Sequence, residues 1–152
     1  MKPLITALSL FWFGHSALYA QSPNPVHWSF NSEKTGDNTW VVHCTATIDS
    51  GWHIYSQTQP NDAIARPTEI KWTTSPLILT TGKAREIGRL EHTQDKTVGI
   101  EANQYEKKVD FEQKITLRST ARMTLTGKLT FQVCTDEMCL PPRTIPVEVP
   151  LP

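Results

Sequence analysis

Beyond its first residues the sequence lacks any long hydrophobic run, which excludes a membrane-spanning helix from most of the chain. It also lacks an excess of charge: 15 Lys and Arg face 15 Asp and Glu, with no basic stripe, so nucleic acid is not an expected partner. No window carries apolar residues at helical spacing. Histidines after residue 20 stand at His27, His43, His53 and His92 and form no cluster in sequence. Structural zinc needs four Cys or His ligands at recognisable spacings, so no metal is expected, and nothing implies a cofactor. Cysteine is scarce, and its count of three is odd, which leaves at least one thiol free or paired between chains.

What is present begins with an export signal. Lys2 supplies one positive charge, residues 4–13 are apolar apart from Thr6 and Ser9, and Leu18-Tyr19-Ala20 places a small residue at a cleavage position. Residues 1–20 therefore read as a signal peptide, and the remainder as a soluble, exported chain. About 130 residues would remain, the size of one domain with its own core. Export leads to an oxidising compartment where disulfides persist.

From Asn38 the chain alternates with period two. Trp40, Val42, Cys44, Ala46 and Ile48 fall on one face, and Val41, His43, Thr45 and Thr47 on the other. Further short apolar runs follow at Trp52 to Tyr55, at Thr68, Ile70 and Trp72, and at Leu77 to Leu79. Val109, Phe111, Ile115 and Leu117 share a parity that polar Gln113 interrupts. Met123 to Val133 alternates most clearly, with Gly127 marking a bulge or a close approach. The last run, Ile145, Val147 and Val149, carries Pro146 and Pro150, which suit an edge strand. Many short strands separated by turn signals predict an all-β, antiparallel sandwich over residues 26–151. Glu91 to Lys108 lacks a pattern and reads as a solvated loop, or as a loop that covers a site.

Parity separates the three cysteines. Cys44 shares the face of Trp40 and Val42 and should be a buried small hydrophobe. Cys134 falls in step with Thr130 and Gln132 and should emerge at the surface or in a cleft. An immunoglobulin-type bridge from Cys44 to Cys134 lacks the tyrosine two residues before the second cysteine, where Gln132 stands. A disulfide between Cys134 and Cys139 would enclose only four residues and contribute about 2 kcal/mol or less of loop-closure stabilisation. Such a bond is a poor staple and a candidate for one made and broken in use. Asp136 and Glu137 between the sulfurs disfavour thiolate, which points to a reducing couple. The competing reading is a non-redox binding module in which this disulfide only shapes a loop.

Phe131-Gln132-Val133-Cys134, Asp136 and Cys139-Leu140-Pro141-Pro142 resemble the redox segment of the N-terminal periplasmic domain of DsbD, the thiol:disulfide interchange protein. Ile48-Asp49-Ser50-Gly51-Trp52-His53-Ile54-Tyr55 is similar to the family's strand-turn-strand. The resemblance implies an immunoglobulin-like sandwich in the periplasm that passes reducing equivalents to thioredoxin-fold proteins, among them a disulfide isomerase and cytochrome c maturation factors. It further implies a protein-disulfide reductase that acts together with those partners. By the same resemblance Cys139 attacks the partner disulfide, Cys134 resolves the mixed disulfide, and Tyr55 and His53 stand beside the sulfurs. Asp95, in Asp95-Lys96-Thr97-Val98-Gly99, is the counterpart of an acidic cap residue. The chain ends at Pro152, so its electron donor is expected to be a separate protein, such as a DsbD-type membrane protein or another thioredoxin-fold protein.

Overall fold

The computed structural model describes residues 24–94 and 101–152. The signal-peptide expectation for residues 1–20 and the cap residue Asp95 both lie outside the described residues. Among the described residues ten strands run in order: β1 (Val26–Lys34), β2 (Thr39–Ile48), β3 (His53–Tyr55), β4 (Glu69–Trp72), β5 (Ile78–Thr80), β6 (Arg85–Gln94), β7 (Glu101–Leu117), β8 (Met123–Phe131), β9 (Val133–Cys134) and β10 (Arg143–Leu151). One sheet has the order β1-β2-β7-β3-β9, with β5 and β6 paired to the other side of β7; the second is β10-β8-β4. Every pairing is antiparallel. The all-β antiparallel sandwich expected from the alternation, immunoglobulin-like as the resemblance implies, is the observed fold, and the described residues contain no helix.

The core is the sum of the alternating faces. Trp40, Val42, Cys44, Ala46 and Ile48 of β2 are all buried, as their parity predicts, and so are Val109, Phe111, Ile115 and Leu117 of β7. Leu125, Leu129 and Phe131 of β8 meet them from the second sheet with Val147, Val149 and Leu151 of β10. Trp28 of β1 packs edge-on against Phe131 and tilted against Phe111, tying the sheets together at one end. The run Leu77 to Leu79 is weaker than it looks: only Ile78 is buried, and both leucines are exposed.

Gln113 interrupts the apolar face of β7 yet is buried, and its hydrogen bonds explain why this is tolerable. Its amide nitrogen donates to the Thr81 carbonyl at 3.0 Å, and its amide oxygen accepts from the Trp72 indole at 3.3 Å. A buried polar group so partnered avoids the cost of lost hydration. Trp72 reaches it by lying across Gly127, its register partner in β8. A Cβ at position 127 would sit 2.7 Å from the Lys71 carbonyl oxygen and 2.8 Å from Trp72 Cε3, so Gly127 marks a close approach.

The expectation of an unpaired loop is corrected for the described part of Glu91 to Lys108. Residues up to Gln94 belong to β6 and residues from Glu101 to β7, paired from Glu91↔Gln104 to Gln94↔Glu101. Much of this ribbon is exposed, so apolar alternation does not mark it as strand. β7 also bends within it. Residues Gln104–Glu106 pair with β3, Lys108–Thr116 with β2, and Lys107 between them takes a left-handed φ of 62°. The β6 register shifts at the same level, between Gly88 and Leu90.

Gly127→Ala should destabilise the fold by about 1–3 kcal/mol, the usual cost of forced overpacking. A urea midpoint that drops accordingly, with the slope unchanged, is the expected outcome. An undiminished midpoint would mean that Trp72 does not seat on this glycine.

Candidate functional site

β8 and β9 are separated by a single residue, Gln132, but belong to different sheets. Val133 pairs with Ile54 and continues the core, and Cys134 pairs with His53. Beyond Cys134 the chain turns through Thr135-Asp136-Glu137-Met138. The Thr135 hydroxyl oxygen accepts from the amides of Glu137 (3.2 Å) and Met138 (3.1 Å), and the Thr135 amide donates to the Met138 carbonyl at 2.8 Å. This tight turn returns Cys139 opposite Cys134, and the two are joined as a disulfide.

The two cysteines differ sharply in access. Cys139 is exposed, whereas Cys134 is 0% exposed. That corrects the expectation that Cys134 emerges at the surface or in a cleft. Its parity does turn it away from Val133 and the main core, but it remains buried, paired on one side with His53 and bridged on the other to Cys139. Cys44 is the free cysteine among the described residues, buried in the core as expected. Burial, with a smaller push from Asp110, raises its thiol to about 12, so it stays protonated and inert at neutral pH.

β3 supplies the neighbouring wall. The Tyr55 hydroxyl lies 4.0 Å from Cys139 Sγ. A disulfide sulfur carries no proton, so the hydroxyl is the donor. Burial raises the Tyr55 pKa and keeps that proton in place. The His53 ring meets Tyr55 edge-on, with centroids 5.4 Å apart. Burial lowers the His53 pKa, while Asp136, Glu106 and Glu91 pull it upward. His53, Tyr55, Thr93, Gln104, Asp136 and Cys139 share a cavity of about 620 Å³ whose described lining holds one carboxylate, Asp136, and no Lys or Arg.

A polar strap holds the end of β3 in place. Glu86 accepts from the Ser56 hydroxyl (2.8 Å), the Gln57 amide (2.7 Å), the Gln57 side chain (3.0 Å) and the Tyr105 hydroxyl (2.7 Å). Gln59 and Asn103 exchange bonds of 2.7 and 3.0 Å, and the Thr68 hydroxyl donates to the Tyr55 carbonyl at 2.6 Å. Sequence reasoning missed these residues because the partners lie 13–44 positions apart and share no motif. A second cluster, His43, Asp110 and Glu112, stands on β2 and β7 with its metal-ligating atoms within 4.8 Å of one another. Protein already engages both Asp110 oxygens, through His43 and Thr45, and one Glu112 oxygen, through Arg85.

The family model for the N-terminal region of the thiol:disulfide interchange protein DsbD matches residues 20–150. The chain belongs to the DsbD N-terminal domain family. With its cysteine pair closed at the end of the sandwich, it is a thiol:disulfide exchange domain. Solved structures agree in fold. The chain is similar to the N-terminal periplasmic domain of ScsB from Proteus mirabilis, with 20% identity and a TM-score of 0.52. That match covers 81% of this chain and 44% of the other, so the chain spans less than half the length of that relative. It is also similar to the reduced DsbD N-terminal domain of Neisseria meningitidis, with 15% identity over 82% of this chain and 83% of that one, and a TM-score of 0.51. The complex of the DsbD and PilB N-terminal domains from Neisseria meningitidis gives 16% identity, coverage of 78% and 80%, and a TM-score of 0.46. No curated protein matches the chain by sequence.

The depressed His53 pKa has a consequence for stability. Above its unfolded value of 6.5 both states are neutral at this site. Below it the unfolded chain takes up a proton that the folded chain resists, so stability falls as the pH drops toward the folded value. His53→Gln should flatten the stability profile between about pH 7 and pH 5, read as urea midpoints. An unchanged slope would assign the acid sensitivity to other groups.

Proposed function

We propose that this chain is an exported, periplasmic electron carrier in which the Cys134/Cys139 couple passes reducing equivalents to thioredoxin-fold partner proteins. The observation that carries the reading is the asymmetry of the pair: one exposed cysteine joined to one wholly buried cysteine. In the dithiol form Cys139, as thiolate, attacks a sulfur of the partner disulfide and expels the partner's other sulfur as thiolate. Cys134, as thiolate, then attacks Cys139 Sγ, closes the internal disulfide and releases the second partner sulfur. Two electrons pass to the partner, and the two thiol protons end on its sulfurs. A separate thiol donor, for which a DsbD-type membrane protein is the candidate, restores the dithiol.

Supporting roles follow from position. The Tyr55 hydroxyl donates toward Cys139 and favours its thiolate, since a hydrogen bond to the charged form stabilises it. His53, neutral beside the pair, can accept the thiol proton. Asp136 and Glu137 oppose thiolate formation and keep the couple reducing. Asp95 is assigned a role above the disulfide by the resemblance alone.

Cys139→Ser should abolish electron transfer to a thioredoxin-fold disulfide substrate, and Cys134→Ser should accumulate a mixed disulfide that mass spectrometry identifies. Parent-like turnover in both variants would refute the carrier reading and leave the disulfide as a structural clip.

A further inference from the structure

The backbone around the cysteine pair has a free side. Two hydrogen bonds bracket the pair: the Thr135 amide to the Met138 carbonyl at 2.8 Å, and the Leu140 amide to the Val133 carbonyl at 2.9 Å. In an antiparallel ladder, residues between two such bonds form a non-hydrogen-bonded pair, and their own N–H and C=O groups point away from each other. For Cys134 the outward side is β3, where it stands in register with His53. For Cys139 the outward side is the end of the sheet, because the strand order terminates at β9 and among the described residues no strand lies beyond. The exposed sulfur therefore comes with a backbone donor and acceptor aimed at the same edge.

The sequence limits how far this edge extends. Leu140 spends its amide on Val133 and its carbonyl on the Gln132 side chain, at 3.3 Å. Pro141 and Pro142 follow at once and have no N–H to offer. An open sheet edge is a template for pairing with another chain, and short strands with prolines are the usual protection against indiscriminate pairing. Here the protection stops one residue after the sulfur. What remains is a dock for one residue.

We propose that Cys139 recognises its partner through this backbone: its N–H and C=O pair with one extended, non-proline residue beside the partner's sulfur, adding a short strand to the sheet edge. This deepens the carrier reading and rests on it. Strand addition of this kind draws affinity from main-chain bonds and is indifferent to most side chains. It would admit several protein disulfides while discriminating against a disulfide that brings no strand.

The test uses the reduced full-length chain and an eight-residue peptide whose single cysteine is blocked as a mixed disulfide with 2-mercaptoethanol. Two variants carry an N-methyl group on the residue before or after the cysteine. Each rate of protein oxidation is divided by the rate at which dithiothreitol reduces the same peptide, which removes intrinsic reactivity. Loss of a ladder bond in the attack complex should slow one of the two variants about tenfold against the parent peptide. Equal normalised rates for all three peptides would overturn the strand-addition proposal while leaving the carrier reading intact. Failure of the protein to reduce any of them, with dithiothreitol active, would overturn both.

Discussion

Between Phe131 and Val133 the chain leaves one sheet and enters the other, and the geometry of the cysteine pair follows from that crossing. β8 is bound into the second sheet by β10 and β4, so Phe131 cannot shift without disturbing its contacts to Trp28 and the core. Two residues later Val133 is seated opposite Ile54 in the first sheet. Both anchors are buried, and strand parity then turns Cys134 to the opposite face, beside His53. Cys139 can only return over it at the rim, in the open. One sulfur buried and one exposed is thus a consequence of topology.

Stability and chemistry are separated by the same arrangement. The core runs from β1 and β2 through β7 to β8 and β10 and owes nothing to the disulfide. Closing so short a loop contributes only about 2 kcal/mol. On the carrier reading, the pair opens and closes with little change to the sandwich beneath it. The site's surroundings are held instead by polar bonds, chiefly the Glu86 carboxylate that gathers Ser56, Gln57 and Tyr105. These bonds fix the chain directly after Tyr55, whose hydroxyl meets Cys139. The bend of β7 at Lys107 lets one strand serve both halves, pairing with β2 in the core and with β3 at the site.

Much of this was legible in the sequence wherever one face of a strand is buried. β2 and the core half of β7 could be read residue by residue, including Cys44 as a core residue, because burial imposes period two. Gly127 and the edge prolines were legible for the same reason: each marks a place where the ladder tolerates no ordinary side chain or amide. The ribbon formed by β6 and the start of β7 was not, since much of it lies off the core. The depth of Cys134 was missed because parity assigns a face and says nothing of what covers it. The Glu86 strap was invisible because its partners meet only in the folded chain.

The central claim is that the Cys134–Cys139 bond is a working couple and not a clip, and its reduction potential tests this most directly. Equilibration of the full chain with glutathione or thioredoxin buffers, read by thiol alkylation and mass, would give the value. The account predicts a potential within the span of thiol relays, between about −120 and −270 mV. A value below about −300 mV, typical of structural disulfides, would contradict it.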